Sequence, residues 1–368
     1  MRDDPTFGYV FPAIRGIQAR REYYASMCPL RLIPKIFLFD EAELAPELRA
    51  QRTLNKGRLP EMARYVLNNQ DNYVFSAITA SIDGEVRFEP LGEGREASRV
   101  GLLRVPMDAR FIINDGQHRR AAIEMALREN PALGDESIAV VFFVDLGLER
   151  CQQMFADLNR YAIRPNKSLG VLYDHRDHLA RLTKLVVLQS VFFRDIVEME
   201  RSTLSLRSRK LFTLSALYNG TSSLLEQADV ADMAAGTKVA VEYWEEVAKH
   251  FPEWRLVHDR KMVAGDVRRD FIHSHGIVLH ALGIVGNALL QSCRNGWKAR
   301  LKGLKKIDWS RANSKLWEGR VMIGGQVSKA SRNVTLTTNV IKKTLGLELT
   351  PEEHRAEDAF LRSGNGTR

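Results

Sequence analysis

The chain has 368 residues, of which 45% are hydrophobic and 27% are charged. This composition is typical of globular proteins and excludes a low-complexity chain, and the length predicts either two domains or one core with a large extension. The three cysteines are widely spaced and form no CxxC pair, which argues against a disulfide framework or a structural zinc site and favours a reducing compartment.

The beginning of the chain and its most apolar segment show no membrane-targeting pattern. The first twelve residues hold two acids and no unbroken apolar run, so we expect no secretory signal. The longest apolar stretch, at residues 276–290, is interrupted by His280 and is too short to span a bilayer. We therefore expect a cytoplasmic protein without a membrane partner.

The first part of the chain, to about residue 159, alternates between strand and helix patterns from the apolar run at residues 32–39 onward. A segment rich in β-branched and aromatic residues at 73–81 meets Asp83-Gly84, a dipeptide that favours a tight hairpin turn, and a strand should return through residues 85–89. Further strands are predicted at residues 101–105, 109–113 and 138–144, and helices at residues 58–69, 117–129 and 148–159. This alternation predicts a mixed α/β domain.

A sharp turn at Asp115-Gly116 separates one of these strands from a helix. Asp115 is a suitable N-cap, and Gly116 lets the backbone approach a ligand closely. Positive side chains follow at the helix N-terminus, where they are unfavourable unless an anion is bound. The turn therefore predicts a catalytic or phosphate-binding site made of Asp115, Gly116, Gln117, His118, Arg119 and Arg120.

A second polar cluster, at residues 159–168, follows the last helix of this part. Asn159, Arg160 and Lys167 either form a second wall of the same pocket or are basic residues at the end of a helix, where they are favourable in any case.

Beyond residue 165 the patterns become mostly helical, for example at residues 178–189, 210–218, 239–250 and 272–291. We expect an α+β protein with a mixed α/β domain at residues 1–165 and a mostly helical, basic domain at residues 166–368.

Positive charge is concentrated in the second part. Residues 1–150 hold 20 Lys and Arg against 22 Asp and Glu, whereas the net charge of the whole chain is +9. Residues 294–343 alone hold 13 basic residues and two acids. Such a segment favours a polyanion, and Trp297, Trp309 and Trp317 within it could stack on unpaired bases. The alternative is a solvated basic face whose tryptophans belong to the core.

Other basic residues also suit contacts to a phosphate backbone, although solvated helix starts have the same pattern. The predicted DNA-binding residues are Arg207, Arg209, Lys210, Arg268, Arg269, Lys302, Lys305 and Lys306. Cys28 is either a redox or contact residue or a buried thiol. His273, His275 and His280 are expected to be buried polar groups, and the acids and histidines at residues 174–178 lack the second cluster that a metal site needs.

The residues at the turn also carry a family resemblance. Asp115-Gly116-Gln117-His118-Arg119 reproduces the five letters of the DGQHR-domain family, and the segment FADLNR at residues 155–160 looks like the same family. Residues 23–30 and 52–55 resemble DndB, a family of DNA sulfur modification proteins. More distantly, the turn is similar to the phosphate-gripping turn of ParB and sulfiredoxin.

This resemblance implies a role in DNA phosphorothioation, the replacement of a non-bridging phosphate oxygen by sulfur in bacterial DNA, which belongs to restriction-modification and defence. It implies a regulator that restrains the modification operon rather than the enzyme that transfers sulfur. From the ParB likeness, Gly116 would supply the close approach, His118 and Arg119 the phosphate contacts, and Arg120 a further contact or an outward ion pair. The middle letters of the turn differ from the ParB pattern, so the identity and hydrolysis of a nucleotide do not carry over.

Two functions of different classes are consistent with these features. The first is a nucleoid-associated transcriptional repressor that binds the double-stranded promoter DNA of its operon, as a homodimer that matches a palindromic operator, and contacts other DNA sulfur modification proteins. The second is an enzyme that hydrolyses a nucleotide or nicks DNA at the DGQHR turn, with ATP or another nucleotide and Mg²⁺ as cofactor.

Overall fold

The computed structural model describes residues 8–37, 57, 59–144, 153–154, 157–158, 166–226, 232–293 and 296–363. The chain divides into two compact units, Met1–Ile163 and Arg164–Arg368, and each has a hydrophobic core of its own. All five tryptophans belong to the second unit. The predicted α+β class is confirmed, because strands dominate the first unit and helices the second.

The first unit is built on a mixed seven-stranded sheet. Its strands are β1 (Gly8–Gln18), β2 (Arg21–Pro29), β3 (Ile78–Asp83), β4 (Arg87–Pro90), β5 (Val100–Pro106), β6 (Arg110–Asp115) and β7 (Ser137–Val144). They lie in the order β4-β5-β1-β2-β7-β3-β6, and only β3 and β7 are parallel. The unit also contains helices α1 (Ile33–Ile36), α2 (Leu59–Leu67) and α3 (Gln117–Glu129), together with short 3-10 helices.

The strands in this unit follow the expected segments with two differences. The alternation begins earlier than predicted, at β1, and the described part of the apolar run at residues 32–39 contains the short helix α1. The hairpin predicted at Asp83-Gly84 is wrong, because β3 pairs with β6 and β7 whereas β4 pairs with β5 at the opposite edge of the sheet. The dipeptide signal is local, and the pairing is decided by which strands the core requires as neighbours.

The second unit consists mainly of helices, with two short two-stranded sheets, β8 (Val197–Glu198) with β9 (Phe212–Thr213) and β10 (Met322–Ile323) with β11 (Gln326–Val327). Its helices are α4 (Lys167–Tyr173), α5 (His178–Gln189), α6 (Phe193–Ile196), α7 (Leu214–Leu224), α8 (Met233–Ala248), α9 (Pro252–His258), α10 (Ala264–Asp270), α11 (Gly276–Ser292), α12 (Trp297–Leu301), α13 (Ser314–Trp317), α14 (Ser331–Thr344) and α15 (Pro351–Arg362).

Helix α11 is the centre of the second unit. It buries most of its length and packs against α7 and α14. The backbones of α7 and α11 approach closely, because a Cβ atom at Gly283 would lie 2.0 Å from the carbonyl oxygen of Gly220. No helix in the described ranges is both long and apolar enough to cross a membrane.

Candidate functional site

The DGQHR turn lies at the end of β6, which is an edge strand of the sheet. Gly116 occupies the N-cap position of α3 with a left-handed backbone (φ 112°, ψ 13°), and no side chain caps the helix. The prediction that Asp115 is the N-cap is therefore wrong. Asp115 still belongs to β6, where it pairs with Thr79, and its side chain is directed to Arg119 instead of the helix amides.

Arg119 is held at the turn by two acceptors. Its Nη2 donates to Asp115 Oδ2 at 2.7 Å and to the carbonyl oxygen of Ala77 at 3.1 Å. Its Nε is buried and has no acceptor among the described residues. The guanidinium is thus fixed beside the uncapped start of α3, with the buried Nε–H left for a further acceptor.

The other side chains of the turn divide between inside and surface. Gln117 is buried, and its Nε2 donates to the carbonyl oxygen of Ile113 at 3.3 Å. Arg120 is also buried, where Nε donates to the carbonyl oxygen of Phe37 at 2.9 Å and Nη1 pairs with Glu124. Arg120 was expected to make a further phosphate contact or an outward ion pair. It does pair with Glu124, but its side chain is buried, and its other donors hold the carbonyl oxygens of Pro34 and Phe37 against α3. His118 is half-buried next to Arg119.

Most of the second polar cluster falls outside the described residues. Asn159 and Arg160, which we predicted as pocket contacts, lie outside the described residues, as do the segment at 52–55 and Arg294. Lys167 is exposed at the start of α4 and belongs to the second unit.

The tryptophans of residues 294–343, which we call the basic segment, are core residues. Trp297, Trp309 and Trp317 are at most 8% exposed, and the rings of Trp309 and Trp317 stack with centroids 5.4 Å apart. Two of the three indole N–H groups have internal acceptors, since Trp309 Nε1 donates to the carbonyl oxygen of Leu304 and Trp317 Nε1 to that of Asp308. The prediction that they stack on bases is wrong, and the alternative of core anchors is correct.

Acids from outside this segment neutralise part of its positive charge. Arg320 makes a bidentate pair with Glu357 at 2.8 and 2.9 Å, and Lys343 donates to the same carboxylate at 2.8 Å. Lys342 is buried against Glu353 at 2.7 and 2.8 Å. Both acids lie on α15, which packs against α14. A count of charges within residues 294–343 missed them; the capping-box letters Thr350 to Glu353 were a readable sign of this helix.

A smaller set of cations remains for a ligand. Lys298 pairs with Glu242, and Arg300 and Arg311 donate to backbone carbonyl oxygens. Six basic side chains of the segment have no ion-pair or hydrogen-bond partner in the described ranges: Lys302, Lys305, Lys306, Lys315, Lys329 and Arg332. Three of these, Lys302, Lys305 and Lys306, lie exposed on one 3-10 turn, which we call the lysine turn.

The lysine turn creates a positive field that reaches a buried neighbour. His250 is 6% exposed, and neither ring nitrogen has a hydrogen-bond partner among the described residues. Burial lowers the pKa of His250, and the charges of Lys305 and Lys302 lower it further against the opposing effect of Glu246. Lys302 and Lys305 therefore lie near enough to His250 to affect its pKa.

The other predicted DNA contacts differ in how available they are. Arg207 and Arg209 are exposed. Lys210 Nζ donates to the carbonyl oxygen of Asp195 at 2.9 Å. Arg269 is paired with Asp266 and Asp270, so its charge is neutralised locally.

Arg268 is an internal clamp. Its Nη2 donates to the carbonyl oxygen of Ser205 at 2.6 Å and its Nη1 to that of Lys210, which ties down the loop that carries Arg207 and Arg209. Because its guanidinium is engaged by these carbonyl oxygens, Arg268 is not free to contact DNA.

Cys28 and the histidines have structural surroundings. Cys28 is fully buried in β2, and burial raises the pKa of its thiol to about 11, which suppresses the thiolate that redox chemistry requires. His273 accepts from Trp254 Nε1 at 2.9 Å, and His275 Nε2 lies 3.0 Å from the carbonyl oxygen of Arg268. The described residues contain no group of three or more His, Cys, Asp or Glu side chains arranged to hold a metal ion.

Comparison with known proteins gave one match. The family model described as DndB, DNA-sulfur modification-associated, matches residues 11–348, which is nearly the whole chain. No curated protein and no solved structure matches significantly. The likeness of the turn to ParB and sulfiredoxin therefore stays a prediction.

Proposed function

The chain belongs to the DndB family of DNA-sulfur modification-associated proteins, and from that premise we propose that it regulates this modification as a DNA-binding repressor of the modification operon. The membership places the chain in the DNA sulfur modification system. Binding to promoter DNA, repression, dimerisation on a palindromic operator and contacts with other proteins of the system belong to the proposal.

The lysine turn is the observation that carries this proposal. Lys302, Lys305 and Lys306 are exposed and have no ion-pair partner in the described part of the chain, so their charge is available for phosphates. Lysines that contact DNA release condensed counterions, and this release drives salt-sensitive binding. The exposed Arg207 and Arg209 add further cationic groups of the second unit.

The test is binding of the full chain to its operon promoter and to a scrambled duplex across a salt series. Replacing the three lysines together (Lys302→Gln, Lys305→Gln, Lys306→Gln) should reduce the slope of log K against log salt by about 2 to 3, because each phosphate contact contributes about 0.9. Lys238→Gln is the matched control, since Lys238 is an exposed lysine of the same unit outside the basic segment. Its slope should equal that of the wild type. An unchanged slope in the triple variant would remove the lysine turn from the interface, and equal affinity for promoter and scrambled DNA would contradict the regulator.

The DGQHR turn supports the second candidate, an enzyme that hydrolyses a nucleotide or nicks DNA. The buried Arg119 Nε without an acceptor in the described residues, next to the uncapped start of α3, is suited to a phosphate oxygen. Asp115, whose side chain is about half exposed, is the nearest acid. ATP with Mg²⁺ would be the substrate or cofactor to test.

Release of phosphate from ATP and nicking of supercoiled DNA are measured for the wild type, His118→Ala and Arg119→Gln. Turnover that is lost in both variants would favour the enzyme. Turnover that survives both would place the activity elsewhere, and promoter-selective binding without turnover would favour the repressor.

A further inference from the structure

The second unit contains a cleft of about 960 Å³ that neither proposed function uses. Residues from α4, α7, α11 and α14, and from the chain between β8 and β9, line it. Its volume lies within the range of small-molecule and cofactor sites in proteins.

The charged side chains that line the cleft in the described part of the chain are all positive. They are Lys167, Arg268 and Lys329, and no aspartate or glutamate is among the described lining residues. Lys167 and Lys329 are exposed and have no ion-pair partner within the described ranges. Arg268 adds a fixed cation, because its guanidinium is clamped by the carbonyl oxygens of Ser205 and Lys210. Three uncompensated cations around one concave surface favour an anion.

The backbone adds to this preference. Helices α11 and α14 have 17 and 14 residues, and both begin at the cleft without a side-chain cap, at His275-Gly276 and at Ser331. Uncapped helix N-termini present amide donors and the positive end of the helix dipole. The two helix N-termini therefore favour an anion in the same cleft as the three cations.

Hydroxyl groups also line the cleft, although several of them already donate within the protein. Ser202 Oγ donates to Asn166 Oδ1 at 2.9 Å, and Thr335 Oγ1 donates to the carbonyl oxygen of Ser331 at 3.2 Å. The hydroxyls of Thr203 and Ser331 line the cleft and have no internal acceptor among the described residues, so they are available to a ligand. Hydroxyls, lysines and backbone amides together are the donor types that hold phosphate oxygens.

His275 contributes a neutral hydrogen-bond acceptor to the cleft. Burial lowers its pKa to about 4, and the nearby Arg311 and Lys329 lower it as well, so the imidazole is neutral at pH 7. The carbonyl oxygen of Arg268 accepts from His275 Nε2, which leaves Nδ1 as an unprotonated acceptor. The side chain can therefore accept a hydrogen bond from a ligand hydroxyl or amino group.

The remaining walls are apolar. Leu206, Phe212, Ile277 and Val334 line the cleft together with the polar groups. From these features we propose that the cleft binds a nucleotide, with its phosphates at Lys167, Lys329 and the uncapped helix N-termini and its base against the apolar wall. The described residues of this site all belong to the second unit, whereas the DGQHR turn belongs to the first, and the proposal does not depend on DNA binding.

The test uses the full chain and ATP as the probe, with equilibrium dialysis for affinity and photolabelling by 8-azido-ATP followed by peptide mapping for location. The double variant Lys167→Gln, Lys329→Gln should weaken ATP binding by about a hundredfold or more, because it removes a charge-assisted hydrogen bond to phosphate at each of two positions. Lys315→Gln is the matched control, since Lys315 is an exposed, unpaired lysine of the same basic segment that does not line the cleft. It should bind ATP as the wild type does.

A third variant, Arg119→Gln, separates this cleft from the DGQHR turn. Unchanged ATP affinity in Arg119→Gln, with label recovered in peptides from residues 203–219 or 274–335, is the expected result. Label confined to residues 110–130, full affinity in the double variant, or no binding of ATP would overturn the proposal. Equal competition by inorganic phosphate would overturn it as well, because a simple anion site does not need the apolar wall. Binding of short DNA without binding of ATP would assign the cleft to a DNA backbone and would also contradict a nucleotide site.

Discussion

The carboxylate of Glu357 should be a principal stabilising group of the second unit. It is 5% exposed and accepts four hydrogen bonds, two from Arg320, one from Lys343 and one from Asn339 at 3.1 Å. These donors lower its pKa to about 2 although burial acts in the opposite direction. Glu357→Gln keeps the shape of the side chain and removes the charge, so it leaves Arg320 buried without a counterion.

The size of the effect follows from the pKa. A carboxyl group that titrates near 2 when folded and at 4.5 when unfolded contributes about 3 kcal/mol at pH 7, since one unit is worth about 1.4 kcal/mol. Loss of one partner from a buried ion pair costs a similar amount, about 3 to 5 kcal/mol. We therefore expect Glu357→Gln to lower the free energy of unfolding of the second unit by about 3 kcal/mol.

Urea unfolding followed by tryptophan fluorescence measures this unit alone, because every tryptophan belongs to it. Asp358→Asn is the matched control, as Asp358 is the exposed neighbour of Glu357 on α15, and it should change the stability by less than about 0.5 kcal/mol. The difference between wild type and Glu357→Gln should shrink as pH falls from about 4.5 towards 2, where the native carboxylate gains its proton. A loss below about 1 kcal/mol at pH 7, or a difference that does not depend on pH, would refute the role assigned to this carboxylate.

Three further predictions concern Gly116 at the DGQHR turn, the buried Arg120 of α3 and His275 in the cleft. Gly116→Ala should destabilise the first unit by about 1 to 3 kcal/mol, because φ is 112° and the new Cβ would lie 3.1 Å from Ile78 Cγ1. Thermal unfolding monitored by circular dichroism measures this loss of stability. An unchanged unfolding midpoint would show that alanine fits this backbone conformation without strain. Arg120→Met should lower the free energy of unfolding of the first unit by about 3 kcal/mol, because the carbonyl oxygens of Phe37 and Pro34 lose their donor. The lower stability should make the buried Cys28 thiol react faster with a thiol reagent. Reactivity equal to that of the wild type would contradict the stabilising role of Arg120. The stability of the second unit should fall as pH decreases from 6.5 to about 4, because His275 gains a proton in the unfolded chain but not in the folded one. His275→Gln should make the free energy of unfolding depend less on pH in this range. An equally steep dependence in the variant would exclude His275 as the cause.

Local patterns predicted single elements well and pairings poorly. The helix predicted at residues 117–129 and the one at 178–189 have the predicted bounds, because strong helical periodicity between clear end signals determines them. The hairpin at Asp83-Gly84 was wrong because a two-residue turn signal says nothing about which strands lie beside β3 and β4. Helix α7 begins four residues later than the pattern at 210–218 suggested, since Phe212 and Thr213 form β9 first.

The site residues show the same division between local and long-range information. Gly116 could be predicted, because a sharp strand-to-helix turn needs a left-handed residue. The fate of the cations could not, because Arg320 and Lys342 find their acids on α15, which lies beyond the segment whose charge was counted. The cleft has no sequence signature at all, since Lys167, Arg268 and Lys329 are spread over more than 160 residues.

The order of the strands has a consequence for biosynthesis. Strand β7 is the last of the seven to leave the ribosome, yet it lies inside the sheet, between β2 and β3. Until residues 137–144 are available, β4-β5-β1-β2 and β3-β6 have no strand to join them, so the nascent sheet exists as two separate ribbons with unpaired inner edges. Such edges are open to mispairing, and closing the sheet brings together residues that are more than 100 positions apart, as at Tyr24 and Phe142. Completion of the first unit therefore waits for one late strand, and a ribosome that stalls before residue 137 would release a chain inclined to aggregate.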